Sequence, residues 1–151
     1  MKFKEAVEGT PGVEAAWRPG LQAIERADRR HIDVEDGKCL RGSVNLDAAM
    51  KHARPHDPRW DYGVGHQAAR NAAEIVYWIE IHPANNRGVA EVLSKLAWLI
   101  QWLKDSAPLL RDMPRAYVWV SSGKTSFTLS SPQRKRLAVH GLRHVGRTFK
   151  L

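Results

Sequence analysis

The run Ile75-Val76-Tyr77-Trp78-Ile79 is unbroken, apolar and rich in β-branched and aromatic residues, the signature of a buried strand. Behind it, Val89, Val92, Leu93, Leu96, Leu99, Ile100 and Leu103 recur at the spacing of one broad helix face. Trp98 and Trp102 widen that face, so this helix should be largely buried. Pro83 is expected to stop regular pairing, Asn85 or Asn86 to cap the helix, and Lys104-Asp105 to end it. Past Pro108 and Pro114, Ala116-Tyr117-Val118-Trp119-Val120 reads as a second core strand ending in the turn Ser121-Ser122-Gly123. A strand, an apolar helix and a second strand make a right-handed crossover in nearly all sheets, so residues 76–81 and 117–120 should be parallel neighbours.

The elements on either side complete the string. Pro19-Gly20 precedes Leu21 and Ile24 at helical spacing, which predicts a helix toward Arg30 with those two residues inward. Residues 1–18 read as an irregular extension. Residues 31–35 alternate, Asp36-Gly37 is a hairpin turn signal, and residues 38–44 return, so a β-hairpin holding Cys39 within a strand is expected. Asp47 is placed as the N-cap of a helical segment over 48–53, and the breaker-rich Arg54-Pro55-His56-Asp57-Pro58 forms a loop. Thr125 to Leu129 extend the last strand as a hairpin, and Ser131-Pro132 open a final helix with Leu137 and Val139 inward. The fold class is α/β (α+β): a mixed sheet of about four to five strands, flanked by helices, in α-β-β-β-α-β order within one domain of 151 residues.

Two carboxylates fall at the ends of adjacent strands in this arrangement. Asp61 lies in Arg59-Trp60-Asp61-Tyr62-Gly63, and Glu80 closes the apolar run before Ile81-His82-Pro83. An acid at the end of a buried strand is costly without a cation or a partner. An acid on one strand and an acid-x-base on the next suits a hard divalent cation, which takes a few oxygen ligands and leaves room for water and phosphate.

That order, with Asp61 before the third strand and Glu80-x-His82 at its end, resembles the PD-(D/E)XK nuclease-like superfamily from about Pro19 onward. The stretches Arg59-Trp60-Asp61-Tyr62-Gly63-Val64-Gly65 and Glu80-Ile81-His82-Pro83-Ala84 are also similar to a group of uncharacterised bacterial proteins, a likeness that implies no activity. The superfamily resemblance implies a restriction-endonuclease-like fold and a phosphodiester-cleaving site in which Asp61 and Glu80 hold Mg²⁺ or Mn²⁺. It puts His82 where the superfamily usually has lysine; a neutral histidine there binds metal or acts as a base instead. Lys95 on the long helix matches the position to which that lysine migrates in parts of the superfamily, and Glu25 matches an acid presented from the first helix.

Nucleic acid is the partner implied by a formal charge of +8, with Arg134, Arg136 and Arg143 as candidate phosphate contacts and Trp60 and Tyr62 as candidate stacking residues. Two alternatives stay open: a non-catalytic nucleic-acid-binding module whose acids pair with Arg41 or Arg59, and a protein-binding partner of immunity or antitoxin type. A homodimer is compatible with either. His52, His56, His66 and His82 are too loosely spaced for structural zinc, and Ser121-Ser122-Gly123-Lys124 lacks the spacing of a phosphate-binding loop. A lone cysteine precludes an internal disulfide, and the Lys-Phe-Lys-Glu start is no secretory signal, so a cytoplasmic protein without membrane contact is expected.

Overall fold

The computed structural model describes residues 1–123 and 128–151. The apolar run becomes β5 (Ile75–Pro83), the helical stripe α4 (Asn86–Ser106) and the second run β6 (Arg115–Ser122). β5 and β6 pair in parallel from Val76↔Arg115 to Pro83↔Ser122, as the crossover requires. Pro83 therefore ends the ladder instead of lying beyond it. Asn85 caps α4, its side chain accepting from the Arg87 and Gly88 amides.

Three antiparallel strands precede this unit: β1 (Trp17–Arg18), β3 (Leu40–Asn45) and β4 (Tyr62–His66). With β7 (Leu142–His144) they give a six-stranded mixed sheet in the order β1-β3-β4-β5-β6-β7. β4 is not among the four strands counted from the sequence, because its two glycines suppress the strand signal. Close approach requires them. A Cβ at Gly65 would lie 2.6 Å from the Phe3 ring, and one at Gly63 would lie 2.8 Å from the Trp78 ring.

The predicted hairpin is absent. Ile32–Asp33 form β2, which pairs in parallel with β8 (Phe149–Lys150) as a separate two-stranded sheet. Gly37 does not take the positive φ that a tight hairpin turn demands. Instead Asp36 accepts from the Lys38 amide and starts a single 3₁₀ turn, Gly37–Cys39, leaving Cys39 half-buried before β3. The burial of Ile32 with Phe149, Ile24 and Ile79 decides this pairing.

Several boundaries also move. Residues 1–18 are not irregular, since α1 (Phe3–Glu8) buries Phe3, Ala6 and Val7. The predicted helix from Leu21 shortens to α2 (Arg26–Arg29), with Ile24 buried in the turn before it. Asn45, not Asp47, caps α3 (Leu46–Met50) through the Ala48 amide, because Asp47 is paired with Arg59. A short α5 (Pro108–Arg111) follows α4. α6 (Ser131–Val139) begins with a reciprocal Ser130/Gln133 capping box and buries Leu137, while Val139 is 82% exposed instead of inward. Of the expected hairpin at 125–129, residues 124–127 lie outside the described residues and Thr128 and Leu129 are irregular.

The sheet separates two apolar layers. On one side α1 and α4 cover Trp60, Trp78 and Trp119, and Leu137 of α6 joins the same cluster. On the other, Ile24, Ile32 and Phe149 cover Tyr62, Val64, Ile79 and Val118. Among the described residues no helix is long and apolar enough to cross a membrane.

Candidate functional site

Antiparallel pairing of Tyr62 with Ile79 places Asp61 opposite Glu80, one step beyond the last paired residues of β4. Tyr62 and Ile79 point into the Phe149 layer, so by strand alternation the two acids point toward α4. Each carboxylate then takes the place of a ladder acceptor on the other strand. Glu80 Oε1 accepts from the Asp61 amide at 3.1 Å, and Asp61 Oδ2 accepts from the Ile81 amide at 3.0 Å. The Asp61 carbonyl accepts from the Leu46 and Asp47 amides, fixing the entry to β4 from the α3 side.

Lys95 completes the group from α4. Its ammonium donates a short hydrogen bond to Glu80 Oε2 and lies 3.6 Å from Asp61 Oδ1. One cation therefore bridges both carboxylates. Glu80 is fully buried, whereas Asp61 and Lys95 each expose about a fifth of their side chains. Two acids against one base leave excess negative charge, and Asp47 stands near enough to add to it. Burial lifts the Asp61 carboxyl above its ordinary range, with Lys95 opposing. Burial and the neighbouring Asp61 charge push Glu80 well above its ordinary range, again against Lys95. Burial pulls the Lys95 ammonium down, but Glu80 and Asp61 more than offset it and hold the group above its ordinary value.

His82, two residues along β5, contributes an imidazole at the rim. Its Nε2 is 2.6 Å from Glu91 Oε2, and its Nδ1 is 3.7 Å from Glu80 Oε2. An ionised Glu91 only accepts, which assigns the hydrogen of the neutral ring to Nε2 and leaves the Nδ1 lone pair facing the acids. The His82 carbonyl accepts from the Trp119 indole at 2.9 Å, tying this strand end to β6. Glu91 escaped the sequence reading, although it stands one helical turn before Lys95 and so shares its face.

The structure thus brings together Asp61, Glu80, His82 and Lys95. It leaves Glu25 outside: the side chain is exposed ahead of α2, and Asp28 is the acid that reaches inward, accepting from the Tyr62 hydroxyl at 2.6 Å. Burial, and after it that contact, raises the Tyr62 phenol far above its usual value. Trp60 is fully buried and Tyr62 nearly so, so neither can stack on a base. Arg59 pairs with Asp47, and Arg41 with Gln67 and Glu74, so neither arginine partners the central acids. Arg134, Arg136 and Arg143 are exposed on α6 and β7.

The donor set limits which cation fits. Among the described residues no group of three or more His, Cys, Asp or Glu could hold a metal ion. Comparison with known protein families, curated proteins and solved structures finds no match for this chain.

Proposed function

We propose that the Asp61–Glu80–Lys95 cluster is the centre of a divalent-cation-dependent phosphodiesterase, a nuclease-like site on a PD-(D/E)XK-like, restriction-endonuclease-like arrangement. The observation that carries this reading is that one ammonium touches both carboxylates, so the acids stand within reach of a single cation. The order of strands supports it: β3, β4 and β5 run antiparallel, α4 follows, and β6 pairs in parallel, with Asp61 immediately before β4 and Glu80 near the end of β5. Asp61 and Glu80 would hold Mg²⁺ or Mn²⁺, which supplies Lewis-acid polarisation of a phosphoryl oxygen. Lys95 offsets charge on the reacting phosphate, replacing the motif lysine whose place His82 takes. His82, with Nε2–H held by Glu91, accepts a proton at Nδ1 from the attacking water.

Titration of Mn²⁺ and Mg²⁺ into the wild type, Asp61→Asn and Glu80→Gln, each then incubated with plasmid DNA and single-stranded RNA, tests the proposal. Metal binding and cleavage in the wild type, both lost in the variants, is the expected result; a wild type that binds neither cation refutes it. One observation favours a second reading, a non-catalytic binding module: the Lys95 ammonium already sits between the acids and closes the cluster. Nucleic-acid binding that chelator leaves unchanged, without cleavage, selects that version.

A further inference from the structure

The net charge of this chain has a single source. Residues 113–151 contain eight Lys or Arg and no Asp or Glu, which accounts for the whole formal charge of +8; residues 1–112 hold sixteen bases against sixteen acids. This segment holds β6, α6, β7 and β8, with β7 an edge strand of the main sheet.

α6 is an unusual helix to find there. Leu137 is its one buried residue, and Arg134, Lys135 and Arg136 follow one another along it, all exposed, with Arg136 in the last turn. Its start is stabilised locally, by the Ser130/Gln133 capping box. Between α6 and β7 lies an open cleft of about 460 Å³, with Arg134, Arg143 and His144 at its walls and Leu129, Leu137 and Leu142 beneath. Neither Arg134 nor Arg143 pairs with a carboxylate among the described residues; Arg143 lies 5.3 Å over the Phe149 ring instead. Charged residues along a sheet edge also deter strand pairing, but a whole segment without one acid exceeds what that needs.

Register connects the cleft to the acids. Glu80 pairs with Trp119 and Trp119 with His144, so Glu80 and His144 stand in one row across three parallel strands, two spacings or roughly 10 Å apart. The row is mechanically tied: His144 packs on the Trp119 ring at 4.7 Å and its Nε2 is 3.0 Å from Ser121 Oγ. Arg134 approaches from α6, on the α4 side of the sheet where the acids lie, whereas Arg143, paired with Val118 and packed on Phe149, turns to the opposite face.

We infer that this cleft is a backbone-binding site for a nucleic-acid strand, which lies across the carboxyl ends of β5, β6 and β7 and places one phosphate at the acids while its neighbours rest on Arg134 and Arg136. The inference deepens the phosphodiesterase reading and rests on it for the place of the cleaved bond. A polyanion is chosen over a single phosphate because exposed bases without a carboxylate partner among the described residues continue past the cleft to Lys135, Arg147 and Lys150.

The test is fluorescence anisotropy of a short labelled single strand, in EDTA so that cleavage plays no part. Three proteins are compared over a salt series: the wild type, Arg134→Glu/Arg136→Glu, and Lys38→Glu/Lys104→Glu, which has the same net charge but is altered elsewhere. Circular dichroism verifies that all are folded. The expected result is salt-dependent binding by the wild type, at least about a tenfold loss and a slope lower by about two in the first variant, and near-wild-type affinity in the second. Equal loss in both variants, no loss in the first, or no binding by the wild type overturns the inference. Saturable binding of inorganic phosphate by a wild type that does not bind the strand also overturns it, by making a free phosphate the ligand. Binding as expected with no cleavage in Mn²⁺ leaves the cleft standing and removes the phosphodiesterase reading alone. Cleavage unaffected by the first variant does the reverse.

Discussion

Replacing Lys95 with Met keeps the length of the side chain and removes the charge that bridges Asp61 and Glu80. Glu80 is fully buried and loses the one ammonium that pairs with it among the described residues, a change that typically costs about 3–5 kcal/mol for a buried pair; the one-fifth exposure of Lys95 points to the lower end, about 3 kcal/mol. In a chain of this size that lowers Tm by roughly 6–12 °C. The loss depends on pH. Glu80 already sits above its ordinary range, so without Lys95 it takes a proton, which is easy in acid and increasingly costly as pH rises. One coupled proton gives a slope of up to about 1.4 kcal/mol per pH unit in the difference between wild type and variant. Adding Glu80→Gln to the variant removes the orphaned charge and should restore at least half of the loss. Chemical denaturation at several pH values, with the single and double variants in parallel, measures all three quantities. A penalty below about 1 kcal/mol that does not change with pH, or a double variant no more stable than Lys95→Met, would show that the three groups are not coupled and refute the electrostatic argument.

The wild type carries the same sign. Folding raises Glu80 above the 4.5 and Asp61 above the 3.8 of the unfolded chain, so the folded state binds more protons. Its stability should therefore fall as pH rises from about those values through the folded ones, and Glu80→Gln should flatten that decline in calorimetric melts. Gly65→Ala forces a Cβ to within 2.6 Å of the Phe3 ring and should cost about 1–3 kcal/mol in urea unfolding; a neutral effect would mean that α1 can shift off the sheet. Val139→Lys should change stability by no more than about 0.5 kcal/mol, because the side chain is 82% exposed; a larger loss would place Val139 in an interface. Ser130→Ala removes both the capping oxygen and its share of the capping box, and should lower stability by about 1 kcal/mol, with amide exchange quickening first in α6.

The β5-α4-β6 unit was legible in the sequence because its signals are local and strong: two β-branched and aromatic runs, a helical stripe between them, and a chirality that leaves one connection. Glu80 stood out for the same reason, an acid where burial makes one expensive. What failed was pairing set by distant contacts. Asp36-Gly37 carries a hairpin signal, yet Ile32 gains more by burial against Phe149, over a hundred residues away, than a hairpin would give it. β4 was hidden because its glycines, poor strand formers, are needed where Phe3 and Trp78 close over the sheet. Trp60 beside Asp61 reads as a stacking residue until the core takes it in entirely. Sequence by itself determined the crossover and the presence of a costly acid. The meeting of Asp61 with Glu80, Lys95 between them and Glu91 on His82 were decided by tertiary structure, because side chains nineteen, fifteen and nine residues apart converge only once strand register and helix rotation are set by packing.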